Sequence, residues 1–111
     1  MDINKEIEKE IKRLDKVFIN IQKNKKDTVD VLIENVAFMR VQMKVMKDRI
    51  NTDGTSIKYQ NGENQWGFKK SPDVDTYNSF IKQCTSIVKQ LTDLLPVEVE
   101  KSIKDEIQEW I

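Results

Sequence analysis

Histidine is absent from this 111-residue sequence, and its absence removes more chemistry than any residue present supplies. Imidazole is the commonest general base, the usual partner of a serine or cysteine nucleophile, and the commonest metal ligand. Cys84 is the single cysteine. One thiol excludes an internal disulfide framework and most cysteine-based metal sites, and it points to use in a reducing cytoplasm. Its place on an apolar helical seam makes it a small buried side chain rather than a nucleophile. The acidic pairs Asp73/Asp75 and Asp105/Glu106 read as a helix start and a solvated face rather than as metal or acid–base sites. Gly54, Gly62 and Gly67 form no phosphate-cradling loop. The expectation is a non-enzyme with no catalytic residue, no metal ligand and no cofactor, acting by binding.

Charge is the chemistry that remains. Lys plus Arg number 19 and Asp plus Glu number 19. That balance hides a gradient: residues 1–70 hold 15 basic and 11 acidic side chains, residues 71–111 hold 4 and 8. The basic excess gathers in Lys12, Arg13, Lys16, Lys23, Lys25 and Lys26, and again in Arg40, Lys44, Lys47 and Arg49. Each lysine alone reads as part of a solvated helix face. The asymmetry between halves suggests one anionic and one basic partner.

The elements that must position these groups are helices. Ile3, Ile7, Ile11, Leu14, Phe18 and Ile21 recur at steps of 3 or 4, the mark of an amphipathic helix with a narrow apolar stripe. Glu6–Lys9, Glu8–Lys12 and Glu10–Arg13 have the spacing to reinforce it. The polar run Lys23–Lys26 reads as a break, with Asp27 or Thr28 capping a second helix. Its seam is Val29, Leu32, Val36, Met39, Met43, Met46 and Ile50, a 3.5-residue period. Val31, Phe38, Val41 and Val45 lie beside or behind that seam, too much apolar surface for one contact face, so the helix should be sandwiched within or between subunits. Asn51-Thr52-Asp53-Gly54 stops it.

Ile57, Tyr59, Trp66 and Phe68 alternate on either side of Asn61-Gly62, which signals a β-hairpin with those four as inward residues, or an irregular loop. In either form Trp66 and Phe68 should cover one end of the helix pair, base stacking being the lesser reading. Ser71-Pro72 starts a third helix, with Asp73 and Asp75 complementing its dipole. Its seam is Val74, Tyr77, Ile81, Cys84, Val88, Leu91 and Leu95, with Phe80, Ile87 and Leu94 as a second row. Pro96 ends it. A short closing helix would present Val99, Ile103, Ile107, Trp110 and Ile111.

The fold class is therefore mainly α: an antiparallel pair of long helices with a short N-terminal helix, a loop or hairpin at 55–69, and a short C-terminal helix. It forms a single domain, 1–111, made of a basic N-terminal helix or arm (1–26), a central helical hairpin (27–95) and an acidic C-terminal helix (97–111). A core this small, with surplus apolar rows, favours an oligomer. The sequence has no run of 18 apolar residues for a membrane span, and MDINKEIEKE lacks the apolar stretch of a signal peptide.

The segment Tyr59-Gln60-Asn61-Gly62-Glu63-Asn64-Gln65-Trp66-Gly67-Phe68-Lys69-Lys70-Ser71-Pro72 lies between two long helices and is followed by Tyr77-Asn78 and Leu91-Thr92-Asp93-Leu94-Leu95-Pro96. In this layout the chain resembles the phage terminase small subunits over roughly residues 28–96, through Asn61, Gly62, Ser71, Pro72, Leu91, Leu94, Leu95 and Pro96. It departs from the family where a glycine of the leucine-rich turn is replaced by Asp93 or Leu94. The resemblance implies a non-catalytic DNA-packaging protein of the host bacterial cytoplasm. Such a protein forms a homo-oligomeric ring, binds phage double-stranded DNA at the packaging start and recruits the large ATPase–nuclease subunit. On that reading Lys12, Arg13, Lys16, Lys23, Lys25, Lys26, Arg40, Lys44 and Lys47 are candidate phosphate contacts. Val31, Phe38, Val45, Phe80, Ile87 and Leu94 are the candidate oligomer interface, and Trp110 and Ile111 the candidate large-subunit contact. The competing reading is a helical protein–protein adaptor or regulator without nucleic-acid binding.

Overall fold

Asp2 sits just ahead of the first apolar repeat, and its Oδ1 accepts the backbone N–H of Lys5 at 3.2 Å. This N-cap satisfies one of the donors a helix start leaves open. The computed structural model describes residues 2–94, with α1 over Ile3–Val17. The Phe18 N–H bonds to the Leu14 carbonyl and closes the helix there, four residues short of the end that Ile21 suggested. Phe18 and Ile21 nevertheless reach the core from the turn, which is why their spacing imitated one more helical turn.

The second helix, α2, spans Lys23–Asp53, so Lys23–Lys26 is its first turn and not a break. Gln22 takes the N-cap position without a side-chain hydrogen bond. Lysine is a good helix former, and nothing in that run forces the chain out of a helix. Asp27 and Thr28 therefore lie inside α2 rather than capping it. At the far end Gly54 adopts φ 83, a left-handed conformation that costs glycine little, and its N–H bonds to the Ile50 carbonyl.

Two strands follow, β1 (Ser56–Gln60) and β2 (Trp66–Lys70), paired antiparallel with Tyr59 opposite Gly67 and Lys58 opposite Phe68. The loop between them is Asn61–Gln65, closed by the Asn61 N–H on the Gln65 carbonyl at 2.7 Å. Ser71 joins the hairpin base to the next helix: its N–H donates to the Thr55 carbonyl at 2.8 Å, and its Oγ accepts from the Asp73 N–H. With Pro72 at the first helical position, α3 runs over Pro72–Asp93. The last expected helix, 97–111, lies outside the described residues, as do Leu95 and Pro96.

Cross-helix pairs fix the directions. Going up α2 from Met43 to Arg49, the partners on α3 descend from Cys84 to Asp73, so the two helices are antiparallel. Arg40 pairs with Glu10, while Asp15 lies by Lys26 and Asp30, so α1 is antiparallel to α2 as well. The long central helix is thus sandwiched within the chain. The core joins Leu14 and Phe18 to Val29, Ile33, Val36, Met39, Met43 and Met46 of α2 and to Cys84, Val88 and Leu91 of α3. Each such aliphatic side chain contributes about 1.5–3 kcal/mol by leaving water. Ile33, Ala37 and Val41 are buried outside the heptad seam, because α2 has two helical partners and the seam describes one.

Candidate functional surfaces

The acidic pair at the start of α3 is committed to structure. Asp73 takes two hydrogen bonds from the Arg49 guanidinium, at 2.9 and 3.0 Å, and ties the end of α2 to the start of α3. Asp75 holds Lys70 at 2.8 Å. Cys84 is buried with its Sγ 3.7 Å from Met43 Sδ, and burial raises its pKa, so the thiol stays protonated and shielded. Among the described residues no group of three His, Cys, Asp or Glu is placed to hold a metal ion, and no helix is long and apolar enough to cross a membrane.

The candidate phosphate contacts divide into two kinds. Lys12, Lys16, Lys23, Lys44 and Lys47 are exposed, and Lys25 is half-buried. The others are engaged. Glu10 accepts from Arg40 at 3.0 Å and lies 3.8 Å from Arg13, so one carboxylate on α1 clamps two guanidinium groups. Lys26 bonds to Asp30 at 3.0 Å, and that hydrogen bond, then the charge of Asp30, raises its pKa. Lys23, Lys25 and Lys26 occupy the first turn of α2, at the positive end of its dipole and with no capping side chain, and the carboxylates of Asp30, Asp15 and Asp27 offset the charge of Lys26. A groove of about 310 Å³ opens beside them at the α1–α2 corner, floored by Phe18, Ile21 and Val29 with Lys26 and Asp30 at its rim.

The six candidate interface residues also separate. Phe80, Ile87 and Leu94 are half-buried against the chain's own core. On α2, by contrast, Val31 is 57% exposed and Phe38 47%, with Val45 half-buried at the same seven-residue spacing. This stripe faces away from both neighbouring helices. Trp110 and Ile111, the candidate large-subunit contact, lie outside the described residues.

The hairpin differs most from expectation. Its four apolar residues do not share an inward face. The register puts Ile57 and Tyr59 on one side, with Gly67 and Lys69, and Trp66 and Phe68 on the other, with Gln60 and Lys58. Nor do Trp66 and Phe68 cover the helix pair: they are 57% and 75% exposed. On the first side Tyr59 lies across Gly67, where an added Cβ would come within 3.1 Å of the ring, and Lys69 sits 5.7 Å from the same ring. On the second side Lys58 Nζ is 4.8 Å from the Trp66 centroid. Lys58, Lys69 and Lys70 belong to no basic cluster of the helices; Glu63 is the one acid within 56–70 and Lys70 is paired with Asp75, so Lys58 and Lys69 carry this segment's positive charge. Period-two spacing of Trp66, Phe68 and Lys70 was the signal available for that face.

Comparison of the chain with protein-family models, with curated proteins and with solved structures returned no match.

Proposed function

We propose that this chain is a non-catalytic, self-assembling DNA-packaging protein of the terminase small-subunit type. On this reading it binds viral DNA through phosphate contacts summed over several copies, and it recruits a catalytic partner in the host cytoplasm. The observation that carries the proposal is the exposed Val31–Phe38 stripe on the back of α2. Water-facing Val and Phe at seven-residue spacing on a long helix offer the repeated apolar contact that association between helices requires. The order of long helix, hairpin and Ser-Pro helix start agrees with the layout on which the resemblance rests. Exposed Lys12, Lys16, Lys23, Lys44 and Lys47 supply sequence-independent attraction for a polyanion, weak for one copy and multiplied in an assembly.

The same stripe would equally accept an amphipathic helix of another protein, which supports the adaptor reading. Mass determination by light scattering separates the two. A closed assembly larger than a dimer, dispersed by Phe38→Glu, is expected for the packaging protein, together with duplex binding that weakens steeply with added salt. A monomeric wild-type chain that ignores duplex DNA leaves the adaptor.

A further inference from the structure

We infer that the Trp66–Phe68 face of the hairpin is a stacking platform for single-stranded nucleic acid. The inference goes beyond the packaging reading, because it requires neither assembly nor contact with a duplex. It starts from the inequality of the hairpin's two faces. One face is filled from within: Tyr59 covers Gly67, and Ile57 and Gly67 are half-buried. The other, made by Ser56, Lys58, Gln60, Trp66, Phe68 and Lys70, is exposed at every position. Large aromatic rings left mostly in water on a two-stranded ribbon add little to its stability, and among the described residues no apolar side chain covers them.

Trp66 and Phe68 are two residues apart on one strand, so their rings project from the same side about 7 Å apart. Successive bases of an extended single strand can settle on rings so spaced, as they do on the aromatic sheets of RNA-binding modules. Charge complementarity selects the occupant. Lys58 stands opposite Phe68 and over Trp66 and is the cation nearest the rings, while Lys70, at the base of the same face, is shared with Asp75 at 2.8 Å. A lysine resting on an exposed indole is weakly held, so Lys58 can swing to a phosphate while one face of the ring takes a base. An acidic peptide would satisfy the lysines but leave both rings uncovered. A duplex would satisfy the lysines but present no free base face.

The test uses the full chain and labelled oligo-dT of about 15 nucleotides, with a blunt duplex of equal length as comparator. In a Trp110→Phe background Trp66 is the only indole, and oligo-dT is expected to quench its emission. Trp66→Ala and Phe68→Ala should each weaken oligo-dT binding about tenfold or more, and Lys58→Ala about threefold, with circular dichroism unchanged. Quenching by the duplex as strong as by oligo-dT would overturn the inference. So would oligo-dT affinity that survives Trp66→Ala and Phe68→Ala but falls when Lys12 and Lys16 are replaced. A loss of assembled mass in Trp66→Ala would overturn it too, by showing that a second copy of the chain covers this face.

Discussion

The helical body and the hairpin are both antiparallel arrangements rich in large apolar side chains, yet they treat them in opposite ways. The body takes Leu14, Val36 and Leu91 almost wholly out of water and locks its helices with Glu10–Arg40 and Arg49–Asp73. The hairpin buries none of its ten strand residues and displays Trp66 and Phe68. Burial and display are thus divided between the two regions, and a change at the hairpin should leave the body nearly intact.

The sharpest way to break this division is to place a charge in the body. Val36→Asp puts an unpaired carboxylate where the side chain is 0% exposed, and should cost more than about 4 kcal/mol, leaving no cooperative urea transition. Glu10→Gln is milder. It removes the negative charge shared by Arg40 and Arg13, both partly open to water, and should lower urea-unfolding stability by about 1–2 kcal/mol.

Alkaline pH should act more gently and on the body alone. The Cys84 thiol ordinarily titrates at 9.0 and is raised by burial in the folded chain. Below that value both states keep the proton and the thiol adds no pH dependence. As pH climbs above it the unfolded chain releases the proton first, so stability falls. Cys84→Ala should lack that part of the slope in thermal melts from pH 8 to 10.5. The smallest effect is expected at the hairpin. Trp66→Ala and Phe68→Ala should each shift unfolding by less than about 0.5 kcal/mol, and a larger loss would show that these rings pack on something.

How far the sequence could be read follows the same division. Apolar period identified the three helices, and Ser71 and Gly54 marked a start and a stop because their chemistry is local, whereas Asp2 was not read as a cap. Reading failed where a side chain's partner is set by docking. Ile33 and Ala37 fell outside the heptad seam because they face a second helix. Arg40 read as a phosphate contact because Glu10, thirty residues away, is brought beside it only by the α1–α2 hairpin. The hairpin's existence was signalled by Asn61-Gly62 and alternation. The sides its residues face were not, since the five-residue loop sets a register that alternation cannot reveal. The exposed lysines of the helices could be counted from the sequence, whereas Lys58 and Lys69 gained their interest only from the rings beneath them.

The uninterrupted length of α2 also makes it a ruler. Its 31 residues rise roughly 46 Å, with the lysine-crowded corner at one end and the hairpin at the other. At about 3.4 Å per base pair a duplex segment spanning that separation holds roughly 14 base pairs, and it would need a single-stranded tail to reach the rings of the hairpin. A single ligand that engages both ends of one subunit must be at least that long, and the shortest oligonucleotide to do so would reveal itself as a step in affinity against length.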